Sequence, residues 1–306
     1  MGLAITKEAL LRGHTVTVFH RGSTRKGLEG VEHIIGDRDS DLSGLADESL
    51  SWDATIDVCA YRPGQVDSLA NVLGDRRGGK YVYISTVSVF AEDVDLHANE
   101  EGKKVDLSPL EGLDCSTCPI DSKTYGPLKL LCEQRVLARF QEIKPLIIRP
   151  TYVVGPEDYT MRFPKWVQKI SDGGVIDCPN PRENPFQYID ARDQAIFVCD
   201  LIERGEKLTP GLTFNSCISP EITFGELLEA IARSVAPPGT TLNWIDVPLD
   251  ISAPDVTAKY TLWSRKASSI MAMDSSAAVA SGLKFRPLSE TIADTLAWLQ
   301  AAKKEQ

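Results

Sequence analysis

The sequence has few histidines and no long apolar run. Its 306 residues include only four histidines, at His14, His20, His33 and His97. No hydrophobic stretch approaches the ~20 residues that a membrane-spanning helix requires, and the chain does not open with the basic and apolar segments of a secretory signal. We therefore expect no membrane association and predict a cytoplasmic protein.

Positive charge is also scarce. The chain has 33 Lys and Arg residues against 43 Asp and Glu, which gives a formal net charge of −10. This balance disfavours nucleic acid as a partner, because phosphate binding requires clustered basic residues, although a local basic groove is compatible with it. The hydrophobic content of 42% and charged content of 25% are those of an ordinary soluble globular protein.

The seven cysteines form no metal-binding pattern. Cys115 and Cys118 have the CxxC spacing, but a zinc site needs two further ligands and histidines are scarce. We interpret the cysteines as reduced, mostly buried thiols and predict no metal site. A metal or redox role for the CxxC pair is the alternative.

Apolar strands alternate with helices in the first half of the chain. Strands are predicted at 15–20, 31–35, 54–59, 80–85 and 145–148, and helices at 3–12, 64–73 and 125–141. This alternation indicates parallel βαβ units with both faces of the sheet covered. We therefore predict the α/β class, with a doubly wound parallel sheet of the Rossmann type.

The regular alternation of predicted strands and helices ends after Pro150. Helices are predicted at 163–170, 191–203, 224–235 and from 288 to about 299, with strands at 186–189 and 242–247. We expect a dinucleotide-binding domain over residues 1–155, to which 186–216 partly return. Residues 156–306 then form mainly a smaller α+β region that binds substrate.

Tyr125 and Lys129 are four residues apart in a predicted helix, so they share one face. An ammonium near a phenol favours the phenolate and lowers its pKa, and such a tyrosine can transfer a proton. Thr86 ends the preceding apolar strand, and its hydroxyl can hold the reacting oxygen. The pair by itself is common, and a solvated helix face is the alternative interpretation.

The chain starts at a helix, whereas a dinucleotide-binding fold usually opens with a strand and a glycine-rich turn. Gly2 occupies the place of the last glycine of such a turn. Without a first strand, the predicted strands 15–20 and 54–59 keep unpaired edges, at ~1–3 kcal/mol for each unsatisfied buried group. Three explanations stay open: a truncated or mis-started chain, a short form that rebuilds the sheet, or a protein that no longer binds a dinucleotide.

Seven segments carry a resemblance to a known family: 12–22, 36–39, 81–90, 125–129, 149–156, 186–193 and 282–288. Their order and spacing resemble the extended short-chain dehydrogenase/reductase family, also called the NAD-dependent epimerase/dehydratase family. The resemblance runs from Gly2 to about Leu299. Within the family, the chain is most similar to isoflavone-reductase-like reductases, but it lacks their first strand and glycine-rich turn.

The resemblance implies a catalytic site of Thr86, Tyr125 and Lys129. Tyr125 would be the acid/base, and Lys129 would bind the nicotinamide ribose and lower the pKa of Tyr125. Thr86 would be the catalytic hydroxyl, with Ser85 and Ser88 as neighbours. For those two serines we favour the simpler interpretation, in which strand hydroxyls bond to nearby backbone.

The resemblance also implies a cofactor. Arg21 follows the second strand of the family's fold, where an arginine suits the 2′-phosphate of NADP and an acidic residue the 2′-hydroxyl of NAD. We therefore expect NADP, with NAD as the alternative. Asp37 would accept a hydrogen bond from the adenine, or simply form a turn. The cofactor-binding set is Gly2, Arg21, Asp37, Arg38, Ser85, Tyr125, Lys129 and Pro150.

The implied activity is an NAD(P)-dependent oxidoreductase that reduces a carbonyl or epimerises a sugar-like substrate. No Asp-Glu pair lies beside Thr86, which disfavours dehydratase chemistry. The small-molecule substrate would lie near Tyr61, Tyr152 and Arg162, although core or surface roles fit each of them. A homodimer through the helix of Tyr125 is compatible with the resemblance.

Binding proteins on the same fold are the main alternative. A regulatory protein that binds NADP without turnover would keep Arg21 and Asp37. Relatives that bind RNA share some of these motifs but lack the intact Tyr-x-x-x-Lys pair, which this chain retains. The acidic pI of about 5.0 also argues against RNA.

Overall fold

The computed structural model of the protein describes residues 1–22, 28–74, 77–204, 212–249 and 253–304. The helices are α1 (Gly2–Leu11), α2 (Pro63–Leu73), α3 (Tyr125–Arg139), α4 (Arg162–Ser171), α5 (Ala191–Glu203), α6 (Phe224–Val235), α7 (Ala253–Lys259), α8 (Ser276–Ala280) and α9 (Leu288–Lys304). The strands are β1 (Val16–His20), β2 (Val31–Ile35), β3 (Ala54–Asp57), β4 (Lys80–Ile84), β5 (Leu146–Pro150), β6 (Tyr152–Val154), β7 (Val175–Asn180), β8 (Pro185–Phe186), β9 (Tyr188–Asp190), β10 (Thr213–Ser216), β11 (Ile222–Thr223) and β12 (Thr241–Asp246).

A four-stranded parallel sheet in the order β3-β4-β5-β10 lies at the centre. Successive side chains of β4 point to opposite faces, as strand geometry requires. Val82 and Ile84 pack in a cluster that contains Ile5 of α1 and residues of α5, whereas Tyr81 and Tyr83 pack with residues of α2 and α3. Helices therefore cover both faces, and the predicted Rossmann-type α/β fold is confirmed.

β1 and β2 form a separate parallel pair, with Val16 opposite Val31 and His20 opposite Ile35. In the described ranges, β1 pairs only with β2, and β3 pairs only with β4. The two sheets are connected by side chains, because Arg38, which follows β2, forms an ion pair with Asp57 at the end of β3.

A second apolar core lies under α4, α6 and α9, which pack against one another. The parallel pair β7-β12, the antiparallel pair β8-β11 and the parallel pair β6-β9 accompany these helices. Buried Phe163, Trp166 and Ile231 belong to this core. In the part of the chain that the structure describes, no helix is both long and apolar enough to cross a bilayer.

Candidate active site

Thr86 lies just beyond the carboxyl end of β4 and caps a short 3₁₀ turn. Its Oγ1 accepts a hydrogen bond from the backbone N–H of Ser88 at 3.1 Å and donates to the Ser88 hydroxyl at 3.2 Å. Threonine suits this position because its side-chain oxygen can accept from the N–H two residues on. The turn thereby holds the Thr86 hydroxyl in one place.

Tyr125 is the first residue of α3, and its phenol lies close enough to the Thr86 hydroxyl for that hydroxyl to influence the pKa of Tyr125. The helix contacts the 3₁₀ turn that Thr86 caps, which brings two segments almost forty residues apart in sequence together. The structure therefore places Thr86 and Tyr125, which the sequence analysis expected to act together, in the lining of the same cavity. Both residues are part of one constellation with Lys129.

Lys129 lies one turn further along α3 and is only 2% exposed. Its Nζ donates to the carbonyl oxygens of Ala60 at 2.9 Å and Ile84 at 2.8 Å, and it lies 4.3 Å from the centroid of the Tyr83 ring. An ammonium has three donors, so one N–H remains for a ligand. Burial lowers the pKa of Lys129 to about 8.

The pKa of Tyr125 shifts in the direction opposite to our expectation. Burial raises it above the ordinary tyrosine value, while the nearby Thr86 hydroxyl and the charge of Arg162 act in the lowering direction and are outweighed. The sequence suggested that Lys129 would lower this pKa, but the Lys129 ammonium is bound to backbone carbonyls. Tyr125 is thus a protonated phenol at neutral pH, which suits a proton donor.

These side chains line a cavity of about 290 Å³ at the carboxyl ends of β4 and β5. Ligands of open α/β sheets bind at this edge. The lining residues are Met1, Val58, Tyr61, Ile84, Ser85, Thr86, Val87, Ser88, Tyr125, Lys129, Pro150, Thr151, Tyr152, Val153, Arg162, Ile270 and Met271. The cavity thus brings together the predicted catalytic residues, two further predicted cofactor residues and all three predicted substrate residues.

Two hydroxyls of this cavity are buried without a hydrogen-bond partner, those of Ser85 and Thr151. For Ser85, the interpretation that we favoured from the sequence, a bond to nearby backbone, is wrong. Buried polar groups normally have partners, so each orphaned hydroxyl requires an explanation, such as a ligand. The donor and acceptor capacity of both groups fits the ribose or amide of a nicotinamide nucleotide.

The three predicted substrate residues surround the cavity. Tyr61 is 37% exposed and its ring centroid lies 6.2 Å from that of Tyr125, and burial raises the pKa of Tyr61 to about 12. Tyr152 stacks on Phe186 with ring centroids 5.5 Å apart. The Arg162 guanidinium lies over the same Tyr152 ring, with its Cζ 5.3 Å from the ring centroid.

Four predicted cofactor residues, Gly2, Arg21, Asp37 and Arg38, are not among the residues that line the cavity. Gly2 is in the first turn of α1, where an added Cβ would be 3.3 Å from a side-chain carbon of Val58. Arg21 is exposed directly after β1. The Asp37 carboxylate accepts the backbone N–H of Asp39 at 3.0 Å, so Asp37 does form a turn.

Arg38 has a structural partner that the sequence did not reveal. Its Nη1 and Nη2 donate to the two carboxylate oxygens of Asp57 at 2.8 and 2.9 Å. Asp57 also accepts the Tyr81 hydroxyl at 2.8 Å. A bidentate pair of this kind occupies the guanidinium fork. Arg38 therefore holds β3 beside the turn after β2, and we do not retain it in the cofactor-binding set.

The sequence interpretation missed several residues of the site. Val58, Thr151, Ile270 and Met271 line the cavity but were not predicted. Thr151 lies in the sequence between Pro150 and Tyr152, which were both predicted, so its position could have been inferred from theirs. Ile270 and Met271 come from a segment more than a hundred residues away, and no local pattern connects it to the site. In the described ranges, no group of His, Cys, Asp and Glu side chains has the arrangement of a metal site.

Comparisons with known proteins give structural neighbours only. No protein-family model matches the chain, and no curated protein matches it. A UDP-glucose 4-epimerase structure is 16% identical with a TM-score of 0.72, over 99% of this chain and 95% of that one. WbmH of Bordetella bronchiseptica, in complex with NAD⁺, is 17% identical with a TM-score of 0.68, over 98% and 94%. UDP-glucuronic acid 4-epimerase of Bacillus cereus, in complex with NAD, is 14% identical with a TM-score of 0.65, over 98% and 95%.

At these identities the similarity establishes the fold and nothing finer. The chain shares the Rossmann-type α/β fold of these solved structures, and the shared fold extends over nearly its whole length.

Proposed function

We propose that this protein is an NAD(P)-dependent reductase of the extended short-chain dehydrogenase/reductase type, which reduces the carbonyl group of a small molecule. The observation that carries the proposal is the meeting of Thr86, Tyr125 and Lys129 in one cavity at the carboxyl ends of parallel strands. A hydroxyl, a protonated phenol and an ammonium are the groups that a carbonyl reduction needs from the protein.

Each of the three residues has a separate role in this proposal. Thr86 and Tyr125 bind the carbonyl oxygen by hydrogen bonds, and Tyr125 donates its phenolic proton to that oxygen. Lys129 holds the ribose with the N–H that Ala60 and Ile84 leave unused. When bound, the nicotinamide cofactor supplies the hydride. The unpartnered hydroxyls of Ser85 and Thr151, with Pro150, support a nicotinamide at this end of the cavity.

NADP is the proposed cofactor, with NAD as the alternative. Arg21 is exposed after β1, so its guanidinium is accessible to a 2′-phosphate. Gly2 and Asp37 complete the set that would contact the pyrophosphate and adenine. Two of the three solved structures named above are complexes with NAD, so NADH is included in the test below.

The composition of the cavity disfavours a dehydratase. Among the residues that the structure describes, no Asp, Glu, His or Cys lines the cavity. Dehydration needs an additional acid or base beside the reacting carbon, and the titratable side chains of the described lining are those of the tyrosines, Lys129 and Arg162. The isoflavone-reductase-like branch, which the motifs resemble, agrees with a reductase. Epimerisation of a sugar-like substrate and NADP binding without turnover are the competing functions.

Calorimetric titration with NADPH and then NADH is the first test. We expect binding at micromolar concentration, tighter for NADPH, with the preference for NADPH reduced in Arg21→Ala. Equal affinities would favour NAD and remove Arg21 from the site. A folded protein that binds neither nucleotide would contradict the reductase and favour a binding protein on the same fold.

A screen of carbonyl substrates with the preferred nucleotide follows. We expect Tyr125→Phe to lower kcat by about a hundredfold to ten-thousandfold, because it removes the proton donor, while nucleotide affinity is retained. Tyr159→Phe is the matched control, since Tyr159 is 87% exposed. Turnover that survives in Tyr125→Phe would contradict the assigned role of Tyr125.

A further inference from the structure

Arg162 is a cation that lines the cavity. Its Nε donates to the Thr160 hydroxyl at 3.0 Å, and its guanidinium lies over the face of Tyr152. Across the described ranges, it forms no ion pair, and neither of its Nη groups has a hydrogen-bond partner. The guanidinium is thus held by one hydrogen bond and one aromatic face, while both Nη groups remain available.

The surroundings of Arg162 favour an anion. None of the described residues that line the cavity is acidic, and Lys129, a second cation of the lining, is bound to two backbone carbonyls. The Asp158 carboxylate lies outside the lining and accepts the Thr160 hydroxyl to which Arg162 Nε donates, so it reaches Arg162 only through that hydroxyl. Arg162 is also the first residue of α4, whose first turn has no side-chain cap and no acidic residue, so positive partial charge remains at this N-terminus. In a partly desolvated cavity, such charges attract an anion more strongly than they would in water.

The Tyr152 ring packs against the Arg162 guanidinium and restricts its position. The ring of Tyr152 stacks on the buried ring of Phe186, so the platform under Arg162 belongs to the apolar core of the second region. A guanidinium that is held in this way loses little conformational freedom when it binds a ligand. Its free Nη groups match the two oxygens of a carboxylate or phosphate.

We propose that Arg162 binds an anionic group of the substrate, either a carboxylate or a phosphate, and that the enzyme acts on anionic carbonyl compounds. The identity of this ligand as the substrate rests on the proposed reductase function, whereas anion binding by Arg162 does not. Arg162 and Tyr125 line the same cavity, so the anionic group would lie close to the carbonyl.

Equilibrium binding of three probes tests the proposal. Oxalate, inorganic phosphate and UDP are titrated into the protein with and without NADPH, using wild type, Arg162→Gln, Arg162→Lys and Lys165→Gln. Lys165 is an exposed lysine of the same helix, so its variant controls for the loss of one positive charge. Oxalate, phosphate and UDP represent a carboxylate, a phosphate and a nucleoside diphosphate respectively.

We expect at least one probe to bind wild type and Lys165→Gln with a Kd of about 1 mM or below. Arg162→Gln should weaken that binding by about tenfold or more, and Arg162→Lys should be intermediate because it keeps the charge but loses the two-pronged geometry. The probe that binds best identifies the source of the anionic group. Arg162→Lys also serves if Arg162→Gln folds poorly.

Two results would overturn the inference: no binding of any probe at about 10 mM, or equal binding to wild type and the Arg162 variants. The same experiment distinguishes failure of the anion site from failure of the reductase proposal. A protein that binds a probe through Arg162 but no nucleotide retains the anion site and loses the reductase. A protein that binds NADPH but no probe retains the reductase and loses the anion site.

Discussion

Gly126 lies against the backbone of Ser88, so closely that an added Cβ would be 2.2 Å from the Ser88 carbonyl oxygen. Real Cβ atoms do not approach backbone so closely, and only glycine fits here without displacing the backbone. Gly126 follows Tyr125, and Ser88 is two residues from Thr86. The contact therefore determines how near the Tyr125 phenol comes to the Thr86 hydroxyl.

Replacing Gly126 by alanine should separate Tyr125 from Thr86. We expect Gly126→Ala to lower the free energy of unfolding by about 1–3 kcal/mol, as overpacking usually does, and to lower kcat more than nucleotide affinity. Thermal melts and steady-state kinetics measure the two effects. Gly64→Ala is the matched control, since Gly64 is also helical and an added Cβ there meets nothing within 4 Å. Equal effects of the two changes would show that the Ser88 contact is unimportant.

The buried ammonium of Lys129 should make stability depend on pH. Its pKa is about 8 in the folded protein, below the ~10.4 of an unfolded lysine. Between these values the unfolded chain binds more protons, so this group makes stability rise with pH in that window; below about pH 8 its destabilising effect is fully present.

Lys129→Met removes this titration. The difference in unfolding free energy between wild type and Lys129→Met should therefore shift in favour of wild type by up to about 3 kcal/mol from pH 8 to pH 10. Denaturant melts at several pH values measure it, and Lys165→Met controls for the loss of a surface lysine. A difference that stays constant with pH would contradict the shifted pKa.

The ion pair of Glu133 with Arg149 is a structural element behind the site. Arg149 Nε and Nη2 donate to the two Glu133 oxygens at 2.9 and 2.7 Å, and the two side chains are 6% and 3% exposed. Glu133→Ala leaves a buried guanidinium uncompensated, so we expect a loss of about 3–5 kcal/mol of stability.

Chemical denaturation measures this loss. Asp93→Asn is the control, because the Asp93–Lys103 pair has exposed side chains and its removal should leave the midpoint unchanged. A similarly small effect of Glu133→Ala would mean that water or another group compensates Arg149.

Local signals in the sequence were sufficient for helices with strong caps. α6 begins at a capping box in which Thr223 accepts the N–H of Glu226 at 3.1 Å and Glu226 accepts that of Thr223 at 2.6 Å. The predicted bounds of this helix and of α5, where Asp190 caps Arg192 at 2.8 Å, equal those observed. Caps act within one helical turn, so a short window of sequence contains the whole cause.

Two strands could not be predicted from the sequence pattern. β7 was not predicted, because Asp177 and Pro179 interrupt its apolar pattern and it forms only through parallel pairing with β12. β10 was also missed, since Phe214 is the only apolar residue among its four. The partner strands β5 and β12 have apolar patterns of their own and were predicted, whereas a short or polar segment gives no sign of its remote partner.

The α/β alternation and the placement of Tyr125 and Lys129 on one helical face could be predicted from the sequence, because both follow from periods of a few residues. The electrostatics of the site could not, because they depend on the packed structure. Burial by remote elements raises the pKa of Tyr125 and lowers that of Lys129. It also pairs Arg38 with Asp57, whereas Arg162 forms no ion pair within the described ranges. Desolvation and ion pairing depend on what surrounds a charge, and those surroundings exist only after distant segments have packed together.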